Sequence, residues 1–123
     1  MPNDLIDLTT PDDFDRLLVR SSSSPVLIYK HSLTCGTSAA AFEEISDLPS
    51  MLPDVPIGIV KVQTARTLST AIAKRLGVRH ESPQVFIVSD GAVRWHASHF
   101  RVTADSIVAA LKRLNPAPVG SDR

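Results

Sequence analysis

Short apolar runs alternate along the chain with longer segments in which apolar residues recur every three or four positions. The runs predict buried β-strands, and the longer segments predict amphipathic helices. The predicted strands cover residues 5–8, 26–29, 57–62, 85–88 and 92–96. The predicted helices start at Pro11, after Cys35, at Leu68 and after Thr103. The pattern therefore predicts the element order βαβαβαββα.

Residues at the predicted helix ends carry capping signals. Thr9 or Thr10 can cap the first helix, and Pro11 suits its first position because the N–H that proline lacks is unused there. The second helix is expected to end at about Leu48, since prolines at positions 49, 53 and 56 should break the chain. Gly77 follows the third helix and suits a left-handed C-cap. These signals support the helices that the periodicity predicts.

This order of elements predicts an α/β fold with a central mixed sheet and helices on both faces. The strands before the final hairpin alternate with helices, so they should pair mostly in parallel, through right-handed crossovers. Asp90-Gly91 is a strong hairpin signal, so the last two strands should form an antiparallel edge. The arrangement is thioredoxin-like. We expect residues 1–114 to form one domain and residues 115–123, rich in Pro, Gly and Ser, to form a flexible tail.

Composition narrows the classes of function. The 123 residues are 43% hydrophobic and carry 13 basic and 13 acidic side chains, so no basic excess indicates a nucleic-acid partner. No apolar run approaches the roughly 20 residues of a membrane span, and the acidic N-terminus does not resemble a signal peptide. One cysteine cannot form an internal disulfide, which favours a reducing cytoplasm. The expectation is a cytoplasmic protein that binds neither nucleic acid nor membrane.

The only cysteine, Cys35, is predicted to stand between a buried strand and the start of a helix. The N–H groups and dipole of a helix N-terminus stabilise a thiolate, which is the reactive form of cysteine. Thr34 and Gly36 flank this position, and Ser38 stands where a dithiol enzyme carries its second cysteine. The alternative is an inert cysteine that fills a gap in the core. The polar neighbours favour a nucleophile with one-thiol chemistry.

Several other residues are candidates for the same site. Lys30 and His31 are predicted to lie between the strand and Cys35, where the lysine would stabilise the thiolate and the histidine would accept a proton or contact substrate. The alternative is a solvated loop pair. In a thioredoxin-like fold, Ser82-Pro83 would be a cis-proline lying against the cysteine loop, with the backbone of Ser82 open to an extended ligand. The alternative is a trans proline at a strand start.

A metal site is not predicted. Residues 95–99 combine Trp95 with two histidines, but no cysteine or carboxylate ligand stands beside them at a suitable spacing. Ser38 can cap the second helix, donate a hydrogen bond to the thiolate, or do both. No bound cofactor is expected.

Three segments resemble the monothiol bacilliredoxins. They are residues 30–38 (KHSLTCGTS), residues 80–85 (HESPQV), and Gly91 with residues 95–99 (WHASH). The resemblance covers about residues 7–114. Gly36 departs from the family's usual proline, and Thr37 departs from its usual aliphatic residue. A glycine there leaves the helix start looser than a proline would.

The resemblance implies a thioredoxin fold and removal of bacillithiol from protein mixed disulfides. Cys35 would attack the bacillithiol sulfur, and an external thiol would resolve the intermediate because the chain has no second cysteine. Bacillithiol would then be the thiol co-substrate and bacillithiolated proteins the partners, with Lys30 as a partner for the malate carboxylates. His31, Ser82 and Pro83 would contact substrate. The chain would be a monomer or a weak dimer.

Other readings remain open from the sequence. Cys-Gly-Thr-Ser also resembles the Cys-Gly-Phe-Ser loop of monothiol glutaredoxins, which carry iron–sulfur clusters. The aromatic third residue of that loop and the Gly-Gly stretch of that family are absent here. A thioredoxin-like interaction module without redox work, or a thiol sensor that bacillithiol caps under stress, would also fit the pattern.

Overall fold

Five strands form one sheet, and four helices cover its two faces. The structure is a computed structural model and describes residues 5–34 and 36–114. The strands β1 to β5 are Ile6–Asp7, Val26–His31, Ile57–Lys61, Gln84–Ser89 and Ala92–Ser98. The helices α1 to α4 are Pro11–Arg20, Gly36–Met51, Arg66–Leu76 and Ala104–Leu114, and a short 3₁₀ helix, His99–Arg101, precedes α4. The predicted order of strands and α-helices is confirmed.

The strands lie in the order β1-β3-β2-β4-β5. β3 pairs in parallel with β1 and β2, and the hairpin of β4 and β5 is antiparallel, as predicted. The expectation of parallel pairing ahead of the hairpin is confirmed for β1, β2 and β3, and β4, the first strand of the hairpin, runs antiparallel to β2. The cause is the path of residues 77–83, which brings the chain back to the end of the sheet where β2 finishes, so that Gln84 pairs with Lys30.

Each face of the sheet has its own apolar core. Side chains from alternate strand positions point to opposite faces, so Tyr29 and Ile28 belong to different clusters. Tyr29 packs with apolar residues of α2 and α4, whereas Ile28 packs with apolar residues of α1 and α3. β2 lies at the centre, with its first five residues buried, which is typical of a strand covered on both faces.

The helix α2 extends past the predicted end. It continues through Pro49 to Met51, so the expectation that Pro49 ends the helix is wrong. Leu48 is fully buried against the core, and the N–H of Leu52 still donates to the carbonyl of Leu48. Burial of Leu48 and the hydrogen bond from Leu52 to Leu48 therefore stabilise the helix past Pro49.

The turns and caps follow their sequence signals. Gly77, Asp90 and Gly91 adopt positive φ angles of 71°, 53° and 73°, as the C-cap and the hairpin turn require. Thr10, rather than Thr9, caps α1, and its hydroxyl accepts from the N–H of Asp13. Thr103 precedes α4, and its hydroxyl accepts from the N–H of Ser106.

None of the helices in residues 5–34 and 36–114 has the length and hydropathy needed to cross a membrane. The expected cytoplasmic location stays a prediction. The expected tail at 115–123 lies outside the described residues, and the division of the chain into a domain and a tail stays a prediction.

Candidate functional site

Three connections meet at the end of the sheet where β2 and β3 finish. The register pairs His31 with Lys61 and Lys30 with Gln84. Residues 32–34 therefore leave the sheet beside residues 62–65 of the β3–α3 connection and beside the Ser82-Pro83 segment that enters β4. Cys35, the predicted nucleophile, lies outside the described residues, but it joins residue 34 to the first residue of α2 in sequence.

Side-chain hydrogen bonds hold the segment 32–34. The N–H of Ser32 donates to Oγ of Ser38 over 3.2 Å, and Ser38 is fully buried. The amide of Gln63 bonds all three residues of the segment: Nε2 donates to Oγ of Ser32 over 2.9 Å and to Oγ1 of Thr34 over 3.3 Å, and Oε1 accepts from the N–H of Leu33 over 2.9 Å. The segment before Cys35 is therefore fixed to α2 on one side and to the β3–α3 connection on the other.

The start of α2 suits an anion. Gly36 is the first helical residue and is exposed, and no acidic side chain stands in the first turn. The N–H groups of such a turn favour negative charge. Ser38, predicted to bond the thiolate, uses its oxygen to accept from Ser32. Its bond to the thiolate, and the roles of Thr34 and Gly36, stay predictions.

Tyr29 and His31 form a polar pair on the α2 face of the sheet. The hydroxyl of Tyr29 lies 2.9 Å from Nδ1 of His31 and 3.2 Å from the carbonyl oxygen of Ser38. The ring of His31 packs against the ring of Phe42, with 5.1 Å between the two ring centroids. Burial, and then the charge of Lys61, lowers the pKa of His31 below its usual value, so the ring is neutral near pH 7. A neutral imidazole can accept a proton, which is what the predicted role of His31 as a proton acceptor requires. That role stays a prediction.

Lys30 occupies the opposite face. The alternative that Lys30 and His31 form a solvated loop pair is wrong, because they are the last two residues of β2. The ammonium group of Lys30 is fully buried, donates to the carbonyl of Ser69 over 3.1 Å and lies 3.1 Å from Nδ1 of His80. Burial lowers its pKa from 10.5 to about 8. A contact with bacillithiol carboxylates would require Lys30 to leave this buried position, and its role towards the thiolate stays a prediction.

The Ser82-Pro83 peptide bond is cis, as the thioredoxin-like reading expects. The carbonyl of Pro83 accepts from the N–H of His99 over 2.9 Å, and Nε2 of His99 lies 2.9 Å from the carboxylate of Glu81. A hydrogen bond from Ser98, followed by the pairing with His99, lowers the pKa of Glu81. Among the described residues, the backbone of Ser82 has no hydrogen-bond partner, and its predicted contact with an extended ligand stays a prediction.

Sequence reasoning missed two contributors to this site. Gln63 stands alone in a polar connection, and no motif marks it. His80 was part of a recognised segment, but its contact with Lys30, fifty positions away, has no signal in the sequence. The residues 5–34 and 36–114 contain no group of three or more potential His, Asp, Glu or Cys ligands that could hold a metal. The predicted absence of a metal site stays a prediction, since Cys35 is outside this part of the chain.

A family profile described as "Monothiol bacilliredoxin BrxC" matches residues 6–107. This chain belongs to the monothiol bacilliredoxin family. A solved structure described as a thioredoxin-fold protein proposed to be an oxidoreductase is 33% identical to it, with a TM-score of 0.78 over 86% of this chain and 92% of that one. The family and the fold together support a thiol oxidoreductase.

More distant structures agree on the fold. Thioredoxin from Trypanosoma brucei brucei has a TM-score of 0.77 at 11% identity, and 93% of each chain is covered. Thioredoxin from Fasciola hepatica has a TM-score of 0.73 at 16% identity, with 89% of this chain and 98% of that chain covered. At these identities the likeness concerns the thioredoxin fold alone.

Proposed function

We propose that this protein removes bacillithiol from protein mixed disulfides, with Cys35 as the attacking nucleophile. The observation that carries the proposal is that the only cysteine of a bacilliredoxin-family chain directly precedes the first residue of α2. A helix start without acidic side chains favours the thiolate over the thiol. The preceding segment is held on both sides by Ser38 and Gln63, which limits the conformations open to the reacting group.

The reaction needs two exchanges. In the first, the Cys35 thiolate attacks the bacillithiol sulfur of a modified client, the client–bacillithiol S–S bond breaks, and the client leaves as a thiolate that takes a proton from water. In the second, the thiolate of an external low-molecular-weight thiol attacks the bacillithiol sulfur held on Cys35. That step releases a low-molecular-weight disulfide and restores the Cys35 thiolate. The electrons come from the external thiol, since the chain has no second cysteine.

The surroundings of Cys35 suggest a role for each neighbour. The backbone of Ser82, which bonds none of the described residues and stands next to the cis Pro83, supports pairing with an extended segment of a client. The neutral ring of His31 would take or relay a proton. Thr34, Gly36 and Ser38 would orient N–H and O–H groups towards the thiolate.

Exposed apolar side chains support a protein partner. Leu33 is 52% exposed just before Cys35, and Phe100 is 87% exposed directly after the His99 that bonds Pro83. Exposed aromatic and aliphatic groups beside a reactive position are typical of protein-binding surfaces. The substrates would accordingly be bacillithiolated client proteins, bound by a cytoplasmic monomer or weak dimer that carries no cofactor.

Intact-mass analysis tests the transfer directly. The reduced protein is mixed with a client peptide that carries one bacillithiol on a single cysteine, and Cys35→Ser is run alongside as the matched control. The expected result is a gain of one bacillithiol on the wild-type chain, a client returned to its free thiol, and no gain on the variant. The same peptide carrying glutathione measures selectivity for the thiol.

The result against the proposal is a wild-type chain that gains no mass while its thiol reacts slowly with iodoacetamide near neutral pH. That outcome would favour an interaction module. A coloured dimer after reconstitution with iron and sulfide, without transfer, would favour a cluster carrier.

A further inference from the structure

Gln63 lies where backbone pairing between β2 and β3 stops. The last backbone hydrogen bond between their continuations runs from the N–H of Val62 to the carbonyl of His31. Beyond it, residues 32–34 have no strand partner, and the side-chain amide of Gln63 takes over by bonding Ser32, Leu33 and Thr34. One side chain thus forms a hydrogen bond with each of three consecutive residues that precede Cys35.

We propose that Gln63 is a positioning residue for the thiol chemistry, because it sets the conformation of residues 32–34 and thereby the placement of Cys35. The inference deepens the proposed function and rests on it. Thiol–disulfide exchange is sensitive to which sulfur is reached and to the fraction of thiolate. Access to the sulfur and the thiolate fraction both depend on the orientation of Cys35, which joins residues 32–34 to α2.

The chemistry of the amide explains why glutamine suits this position. Its oxygen accepts from the N–H of Leu33, while its NH₂ group donates to the hydroxyls of Ser32 and Thr34. A carboxylate offers only acceptors, and asparagine is one methylene shorter, so neither reproduces the set. Leu33 is 52% exposed, so apolar packing contributes little to holding the segment. The hydrogen bonds are therefore the main restraint on this side of the loop.

The restraint from the other side is independent of Gln63. The N–H of Ser32 donates to Oγ of the buried Ser38 in α2, and the hydroxyl of Ser32 also accepts from the N–H of Thr34 over 3.4 Å. Removing the Gln63 amide leaves these two bonds in place. We therefore expect the fold to survive substitution while residues 33 and 34 lose their fixed conformation.

Two variants and one control separate the parts of this role. Gln63→Ala removes the acceptor and both donated bonds. Gln63→Glu keeps an acceptor for the N–H of Leu33, removes the donors and adds a negative charge. Thr64→Ala is the matched control, because its hydroxyl lies in the same connection but donates only locally, to the carbonyl of Lys61.

Three measurements are made on the full chain: amide hydrogen exchange at Leu33, the pH profile of Cys35 alkylation by iodoacetamide, and the rate of bacillithiol transfer. In Gln63→Ala the Leu33 amide should exchange roughly tenfold faster, and alkylation near neutral pH should slow severalfold as the pKa of Cys35 rises. In Gln63→Glu the Leu33 amide should stay protected while the added charge raises the pKa of Cys35. Thr64→Ala should match the wild type.

Wild-type exchange at Leu33 and a wild-type alkylation profile in Gln63→Ala would overturn the inference. If that variant does not fold, the uncharged Gln63→Asn takes its place, and wild-type exchange at Leu33 with a wild-type alkylation profile in Gln63→Asn overturns the inference instead. A purely structural role would lower the unfolding midpoint without moving the pH profile, and that result also counts against positioning. Failure of the proposed function gives a different result. In that case the wild type itself transfers no bacillithiol, while alkylation of Cys35 can still be compared between the wild type and the variants.

Discussion

Replacing Lys30 with methionine measures the effect of burying an ammonium group in this sheet. Lys30 is fully buried, and its described partners are the carbonyl of Ser69 and Nδ1 of His80. Within residues 5–34 and 36–114, no carboxylate lies at ion-pair distance from its nitrogen. Methionine has a similar length and no charge, so Lys30→Met removes the titrating group and keeps most of the volume.

The size of the effect on the free energy of unfolding follows from the pKa of Lys30. Burial lowers the pKa of Lys30 from 10.5 to about 8 in the folded protein. Below pH 8 both the folded and the unfolded chain carry the proton. Between about pH 8 and 10.5 the unfolded chain still binds it and the folded chain does not, so the free energy of unfolding rises with pH. One pKa unit corresponds to about 1.4 kcal/mol, and the full window corresponds to about 3 kcal/mol.

Urea unfolding of both proteins at several pH values from about 7 to about 10 tests this reasoning. We expect the free energy of unfolding of the wild type, minus that of Lys30→Met, to grow by about 2–3 kcal/mol over this range. Every other ionisable side chain is present in both proteins, so the difference isolates the contribution of Lys30 to the pH dependence. Lys61→Met controls for the loss of one surface charge from the neighbouring strand. A difference that stays constant, or falls, as the pH rises would refute the reasoning.

Two glycine substitutions make further predictions, both measured by urea unfolding. Gly36→Pro should raise the free energy of unfolding by roughly 0.5–1 kcal/mol, because a Cβ at Gly36 meets nothing within 4 Å, proline suits the first helical position, and the unfolded chain loses freedom; a lower value would contradict this. Gly58→Ala should lower it by about 1–3 kcal/mol, because its Cβ would lie 2.6 Å from Cδ1 of Leu8 and 2.8 Å from Cδ2 of Leu17, which are both buried. Wild-type stability in Gly58→Ala would show that these leucines move aside freely.

Local patterns predicted most of the fold. The apolar runs located all five strands, and the positive φ angles at Gly77, Asp90 and Gly91 agree with the residue types found there. The direction of β4 could not be predicted, because an alternation of strands and helices does not say to which end of the sheet residues 77–83 return the chain. The end of α2 was missed because burial of Leu48 outweighs the local effect of Pro49.

The site was predicted less completely. The cis Ser82-Pro83 bond followed from the expected fold. Burial of Lys30 did not, because lysine is rarely buried and its partners Ser69 and His80 lie 39 and 50 positions away. The role of Gln63 depends on the loop that lies beside it in the folded protein. Such contacts exist only after the sheet has formed, so no local pattern reveals them.

The side-by-side alignment of β2 and β3 has a consequence for the fidelity of the site. Lys30 pairs with Val60 and His31 with Lys61, and that register brings Gln63 level with Leu33. A slip of one residue would turn the side chains of a strand to the opposite face. Lys30 would then enter the apolar layer under α2, and the amide of Gln63 would lose its three partners. The register of the sheet thus decides which residues of the β3–α3 connection lie beside residues 32–34 and hold them.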